Sequence, residues 1–145
     1  MIRYTKLNKI IKLASVVGIV LAAAILLTLA GCSRKVNVSG VKIGGVALEE
    51  LRIYMELTGD TDLRRAEKAE ELSTHVNTLL TQAGGTALEL ADGGPDSSPA
   101  LIFTETAAKG YDDYTVRLGS AGQVLFEGGS NWALKMAFSA FLEAY

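Results

Sequence analysis

The stretch that decides the fold is DTDLRRAEKAEELSTHVNTLLTQAGG, residues 60–85. Leu63, Ala66, Ala69, Leu72, Val76, Leu79, Leu80 and Ala83 recur every three or four residues. Arg64, Arg65, Glu67, Lys68, Glu70, Glu71 and Asn77 lie between them. Side chains at that spacing share one face of a helix, so the segment reads as an amphipathic helix of about six turns. Asp60, Thr61 or Asp62 can accept a hydrogen bond from the free amides of the first turn, and Gly84-Gly85 supplies the stop.

On either side the period changes from helical to alternating. Val41-Lys42-Ile43 and Val46-Ala47-Leu48 flank Gly44-Gly45, a two-residue signal for a primed hairpin turn. Leu51, Ile53 and Met55 alternate with Arg52 and Tyr54, the pattern of a half-buried strand. After the helix, Thr86 to Ala91 reads as a short strand with Leu88 and Leu90 on one face, and Asp92 to Pro99 is a loop by composition. Ala100 to Phe103 is an apolar run of the kind found in central strands. Tyr114, Val116 and Leu118 alternate, Gly119 to Gly122 turns, and Val124 to Glu127 returns.

A final helix runs from Trp132 to Ala144, with Ser130 or Asn131 as its cap. It is apolar nearly all round, broken by Lys135, Ser139 and Glu143, and such a helix expects cover on more than one side. Strands, helix, four strands and helix make an α+β domain: a mixed sheet with two helices on one face.

The first 31 residues have a different composition. Arg3, Lys6, Lys9 and Lys12 precede an uncharged stretch of 19 residues, Leu13 to Gly31. A basic region followed by an apolar one is the pattern of a secretory signal, whose lysines stay on the cytoplasmic side. The same stretch is just long enough to span a bilayer as an uncleaved anchor. Leu29-Ala30-Gly31-Cys32 follows. This tetrapeptide resembles the bacterial lipobox, in which small residues precede a cysteine that is lipidated before cleavage. The resemblance implies a signal peptide over 1–31, lipidation at Cys32 and an extracytoplasmic face of the cell membrane. Residues 32–40 would then tether a domain over 41–145. Cys32 is the only cysteine, so no intrachain disulfide can form.

The four leader cations are the only charges before Cys32. Without them 10 Lys+Arg stand against 16 Asp+Glu, a net charge near −6. So acidic a domain has no electrostatic case for nucleic acid or anionic lipid. Membrane attachment is expected through the leader or its lipid.

Few constellations in the mature part carry chemistry. His75 is the single histidine, and it lies mid-helix, so it reads as a boundary residue and no zinc site is expected. Asp92, Asp96, Asp112 and Asp113 fit no EF-hand spacing and read as solvated turn residues. Asp112 and Asp113 are adjacent and Glu67, Glu70 and Glu71 lie on a wet helix face, so none reads as a glycosidase acid pair. Gly128-Gly129-Ser130-Asn131 could present amides to an anion, but a tight turn with an N-cap accounts for it. No catalytic residue, metal or cofactor is expected. Tyr111 and Tyr114 are weak candidates for glycan contact through exposed rings. Trp132, Met136, Phe138 and Phe141 are candidates for docking a partner.

The order of elements resembles the non-catalytic N-terminal α+β domain that precedes the barrel in glycoside hydrolases such as β-N-acetylhexosaminidases and α-glucuronidases. The resemblance rests on Gly44 to Leu48 before a strand, on the helix carrying Ala66 to Leu72, and on Tyr111 to Val116. It continues through Val124 to Ser130 into a helix ending Ala140 to Tyr145. It implies an accessory module with no inherited active site, supporting a partner or a barrel that follows. The alternatives are the front piece of a glycoside hydrolase and a structural envelope lipoprotein.

Overall fold

The structure is a computed structural model that describes residues 36–95 and 98–144. The lipobox residues Leu29, Ala30 and Gly31, Cys32, and the expected signal helix lie outside the described residues, as does Asp96.

The elements follow the expected order. Strands β1 (Lys42–Ile43) and β2 (Val46–Ala47) pair antiparallel across Gly44-Gly45. Both glycines have positive φ, 59° and 86°, which the primed turn requires. A 3-10 turn, Leu48–Glu50, leads into β3 (Arg52–Glu56). The long helix α1 spans Asp62–Gln82, and Thr61 is the cap, its Oγ1 accepting from Arg64 N. Gly84 ends the helix with φ 81°. Then come β4 (Glu89–Leu90), β5 (Ala100–Glu105), β6 (Tyr114–Leu118), β7 (Val124–Gly128) and the helix α2 (Asn131–Glu143). Ser130 caps α2, its Oγ accepting from Ala133 N.

Five strands form one mixed sheet in the order β4-β3-β5-β7-β6. The first four are parallel and β6 runs antiparallel to β7. This is an α+β architecture. Ile53, Leu101, Phe103, Val124 and Phe126 share a core with Leu72, Val76 and Leu80 of α1 and with Leu134, Ala137 and Phe138 of α2. The Phe103 and Phe126 rings stack at 4.5 Å, and Phe138 and Phe141 close over them at 5.4–5.9 Å.

The structure departs from the expected periodicity in three places and adds to it in a fourth. Tyr54 is buried, because the reverse face of the sheet carries its own small cluster with Ala100 and Ile102. Leu63 is exposed: the first turns of α1 run out beyond the core, and burial begins in earnest at Leu72. The strand expected over Thr86 to Ala91 shrinks to Glu89–Leu90, with Leu88 buried and Leu90 outside. Tyr114, Val116 and Leu118 alternate as expected but stay exposed, because β6 is the outer strand of the sheet.

Candidate docking surface

The two sides of α2 differ because of what they meet. Its inner side reaches the sheet closely, since Gly128 has no side chain; a Cβ there would meet Ala133 and Leu134 at 3.1 Å. Its flank toward α1 is polar. Asn131 Nδ2 donates to Glu71 Oε2 at 3.1 Å, and Lys135 Nζ donates to Glu71 Oε1. Met136 follows Trp132 by four residues, so the two lie one turn apart on the same side. Trp132 is 53% exposed and Met136 is also exposed. Of the four residues expected to dock a partner, these two face outward. Phe138 and Phe141 are buried in the core and offer no docking surface.

Beside α2 lies β6. In-register partners share a face of the sheet, so Tyr114, Val116 and Leu118 stand on the helix-covered side opposite Gly128, Phe126 and Val124. Leu118 is 75% exposed. On the reverse face Arg117 Nη2 donates to Glu127 Oε1 at 2.5 Å and Thr115 Oγ1 to Glu127 Oε2 at 3.3 Å. That arginine, hydrogen-bonding to the carboxylate, holds Glu127 below the ordinary carboxylate range. Tyr111 is exposed next to the start of α2, where its carbonyl accepts from Ser130 Oγ at 2.6 Å.

Besides the Gly128-Gly129-Ser130 turn, three further places could hold chemistry, and each is internally satisfied or incomplete. In parallel sheets ligands collect beyond the C-terminal strand ends, where the chain departs in opposite directions; here that is the gap between β3 and β5. Glu105 occupies it, its side chain only 7% exposed. It accepts from Thr58 N at 3.1 Å, and Lys68 Nζ lies 2.8 Å from both its oxygens and from Thr58 O. Every group has its partner, so the arrangement clamps α1 to the strand ends. Sequence reasoning missed this pair, whose members are 37 residues apart. The Gly128-Gly129-Ser130 turn likewise spends its groups internally: Gly129 N donates to Asp113 O, and Ser130 Oγ serves the cap.

The second place lies between the helices. His75 sits near Glu71 and Lys135. Burial, and then the nearby ammonium, pull His75 below the usual histidine value. The hydrogen bond from Lys135 pulls Glu71 down as well. His75 Nε2 and Asn131 Oδ1 are enclosed without a hydrogen-bond partner. The third place is an open groove of about 530 Å³ along Ser73, Thr74, Asn77, Thr78, Thr81 and Gln82. Thr78 and Thr81 donate back to the carbonyls of Thr74 and Asn77, while Asn77 holds both N and O of Leu88. Among the described residues, no group of three or more His, Cys, Asp and Glu could hold a metal ion. Asp113 accepts from Gly110 N at 3.1 Å, as a turn residue does.

Compared with protein-family models, curated proteins and solved structures, the chain matches none. The surface therefore has to be read from its own geometry. Exposed large apolar side chains concentrate on β6 and the outward side of α2. Val116 and Leu118 were not among the candidates, because alternation marks a strand without saying whether a neighbour covers it.

Proposed function

We propose that this chain is a lipid-anchored, extracytoplasmic lipoprotein whose domain is a non-catalytic accessory module of the carbohydrate-enzyme kind, docking a protein or a following domain through α2. The observation that carries the docking part is the exposure of Trp132 and Met136 on a helix already packed against the sheet and α1. Solvent-facing Trp and Met on one helical side are costly to leave wet and are enriched where proteins meet. The basic-then-apolar leader ending in Leu29-Ala30-Gly31-Cys32 supports the anchoring part. The element order supports the accessory part by resemblance, and fold likeness alone carries no activity.

A photo-crosslinking residue at position 132 or 136, introduced into the full chain in its host, tests the docking. A discrete adduct from these positions, absent with the crosslinker at exposed Arg64, is the expected result. Equal labelling from all three positions would sink the docking reading. Intact mass of the membrane-extracted protein tests the anchor separately: Cys32 at the N-terminus plus acyl groups is expected, and an unprocessed leader overturns it.

A further inference from the structure

The two edges of the sheet are finished differently. β4 is two residues long, and short edge strands offer little template for pairing. β6 is five residues long, in unbroken register with β7, and contains no proline, lysine or bulge. Its single charge, Arg117, is 60% exposed on the reverse face and pairs with Glu127 of the neighbouring strand. Proline, lysine, a bulge and short length are therefore all absent from β6, and the one charge it carries is engaged by its own sheet.

The direction of its free backbone follows from the ladder. Gly119 N donates to Gln123 O at 2.8 Å and Gly129 N to Asp113 O at 3.0 Å. In an antiparallel pair the groups of alternate residues point to the partner. Asp113, Thr115, Arg117 and Gly119 therefore turn theirs toward β7, while Tyr114, Val116 and Leu118 turn their N–H and C=O outward. The residues with outward backbone are also those with exposed apolar side chains.

We infer that β6 pairs antiparallel with β6 of a second copy of this chain, about a two-fold axis at Val116, joining the two sheets into one. In this register Val116 faces Val116 of the second copy, and Tyr114 faces its Leu118, each pair exchanging both backbone hydrogen bonds. The charge map favours this occupant. Thr115, which already donates to Glu127, falls opposite Arg117 of the second copy, so two arginines and two glutamates interleave on the reverse face. Asp112 and Asp113 fall opposite Ser120 and Gly119, an uncharged turn. Parallel pairing would instead bring the aspartates of both copies together, which costs affinity. An interface of this kind is self-complementary, as a closed two-fold dimer requires. The inference rests on β6 alone and stands independently of the lipid anchor and of docking through Trp132.

The test uses two differently tagged copies of the full chain, co-expressed, extracted in mild detergent and captured through one tag. The wild type is expected to co-capture the second tag. Val116→Pro removes an N–H that the fold does not use, as edge strands tolerate; it should keep the far-UV circular dichroism and lose co-capture. Copies sharing a micelle through their anchors would still be co-captured in that variant. Val116→Lys or Val116→Glu in both copies should weaken association more than about tenfold by setting like charges face to face, and mixing one of each should restore it. Absence of wild-type co-capture, indifference to Val116→Pro, or failure of the Lys and Glu copies to associate when mixed would each overturn the proposal. Capture of an unrelated extended peptide in place of the second copy would overturn it as well.

Discussion

Glu105 shows how much one side chain can matter without being part of a site. Its carboxylate is nearly enclosed, and its stability depends on Lys68 and the Thr58 amide. Glu105→Ala removes the acceptor, leaving the Thr58 N–H without its partner and the Lys68 ammonium with only the Thr58 carbonyl, which should cost about 2–3 kcal/mol. Urea unfolding at constant slope measures it. The double variant Lys68→Met with Glu105→Leu should recover most of the loss, because it leaves nothing charged behind. If the double variant is as unstable as the single one, the pair is not what holds α1 to the strand ends. None of this was legible beforehand: Lys68 belongs to a helix face that reads as wet, and only the fold brings residue 105 to it. His75 was legible as a boundary residue, and its environment adds a pH dependence. Its value is lowered from about 6.5 in the folded protein, so the unfolded chain binds the proton more readily. The stability it contributes is complete above about pH 6.5 and is lost as pH falls through the lower folded value. Glu71 and Glu127, lowered from 4.5, lose their contributions only in more acidic solution. Melting temperature between pH 7 and 5 should therefore fall more steeply in the wild type than in His75→Gln. Parallel slopes would place the penalty elsewhere.

Among elements, the β1–β2 hairpin was read correctly from Gly44-Gly45, since only a residue at ease with positive φ turns so tightly. What the dipeptide cannot reveal is that its two glycines have different neighbours. A Cβ on Gly44 would lie 2.5 Å from the Gly122 Cα, in the turn between β6 and β7, whereas one on Gly45 meets nothing within 4 Å. Both alanine variants bear the left-handed backbone cost of about 1 kcal/mol. Gly44→Ala must in addition push two backbones apart, so it should cost about 2–3 kcal/mol against about 1 for Gly45→Ala. Chemical denaturation of the two variants measures the difference, and equal losses would mean the two turns separate freely. α1 illustrates the same limit. Its period, cap and stop were all legible, because helices are built from local spacing. The exposure of Leu63 was not, because where a helix outruns its sheet depends on strand length elsewhere.

For the whole molecule, the α+β class was legible because periods of two and of three to four residues alternate cleanly along the chain. The strand order β4-β3-β5-β7-β6 was not, because alternation is the same in a covered strand and an edge strand. That order is what leaves β6 outside and α2 with one outward side. It also separates two kinds of apolar residue within one 13-residue helix. Phe138 is fully buried against Phe103 and Phe126, so Phe138→Ala should cost about 3–5 kcal/mol. Trp132 and Met136 touch solvent, so replacing both with serine should change unfolding free energy by no more than about 0.5 kcal/mol each. The same double variant should bind a hydrophobic fluorescent dye more weakly than the wild type, because it removes wet apolar surface and leaves the core intact. A large loss of stability on changing Trp132 and Met136 would mean that they hold the fold together, and that their exposure serves no partner. Stability unchanged with weaker dye binding would leave that side of α2 as surface the fold does not need, which is what a docking face must be.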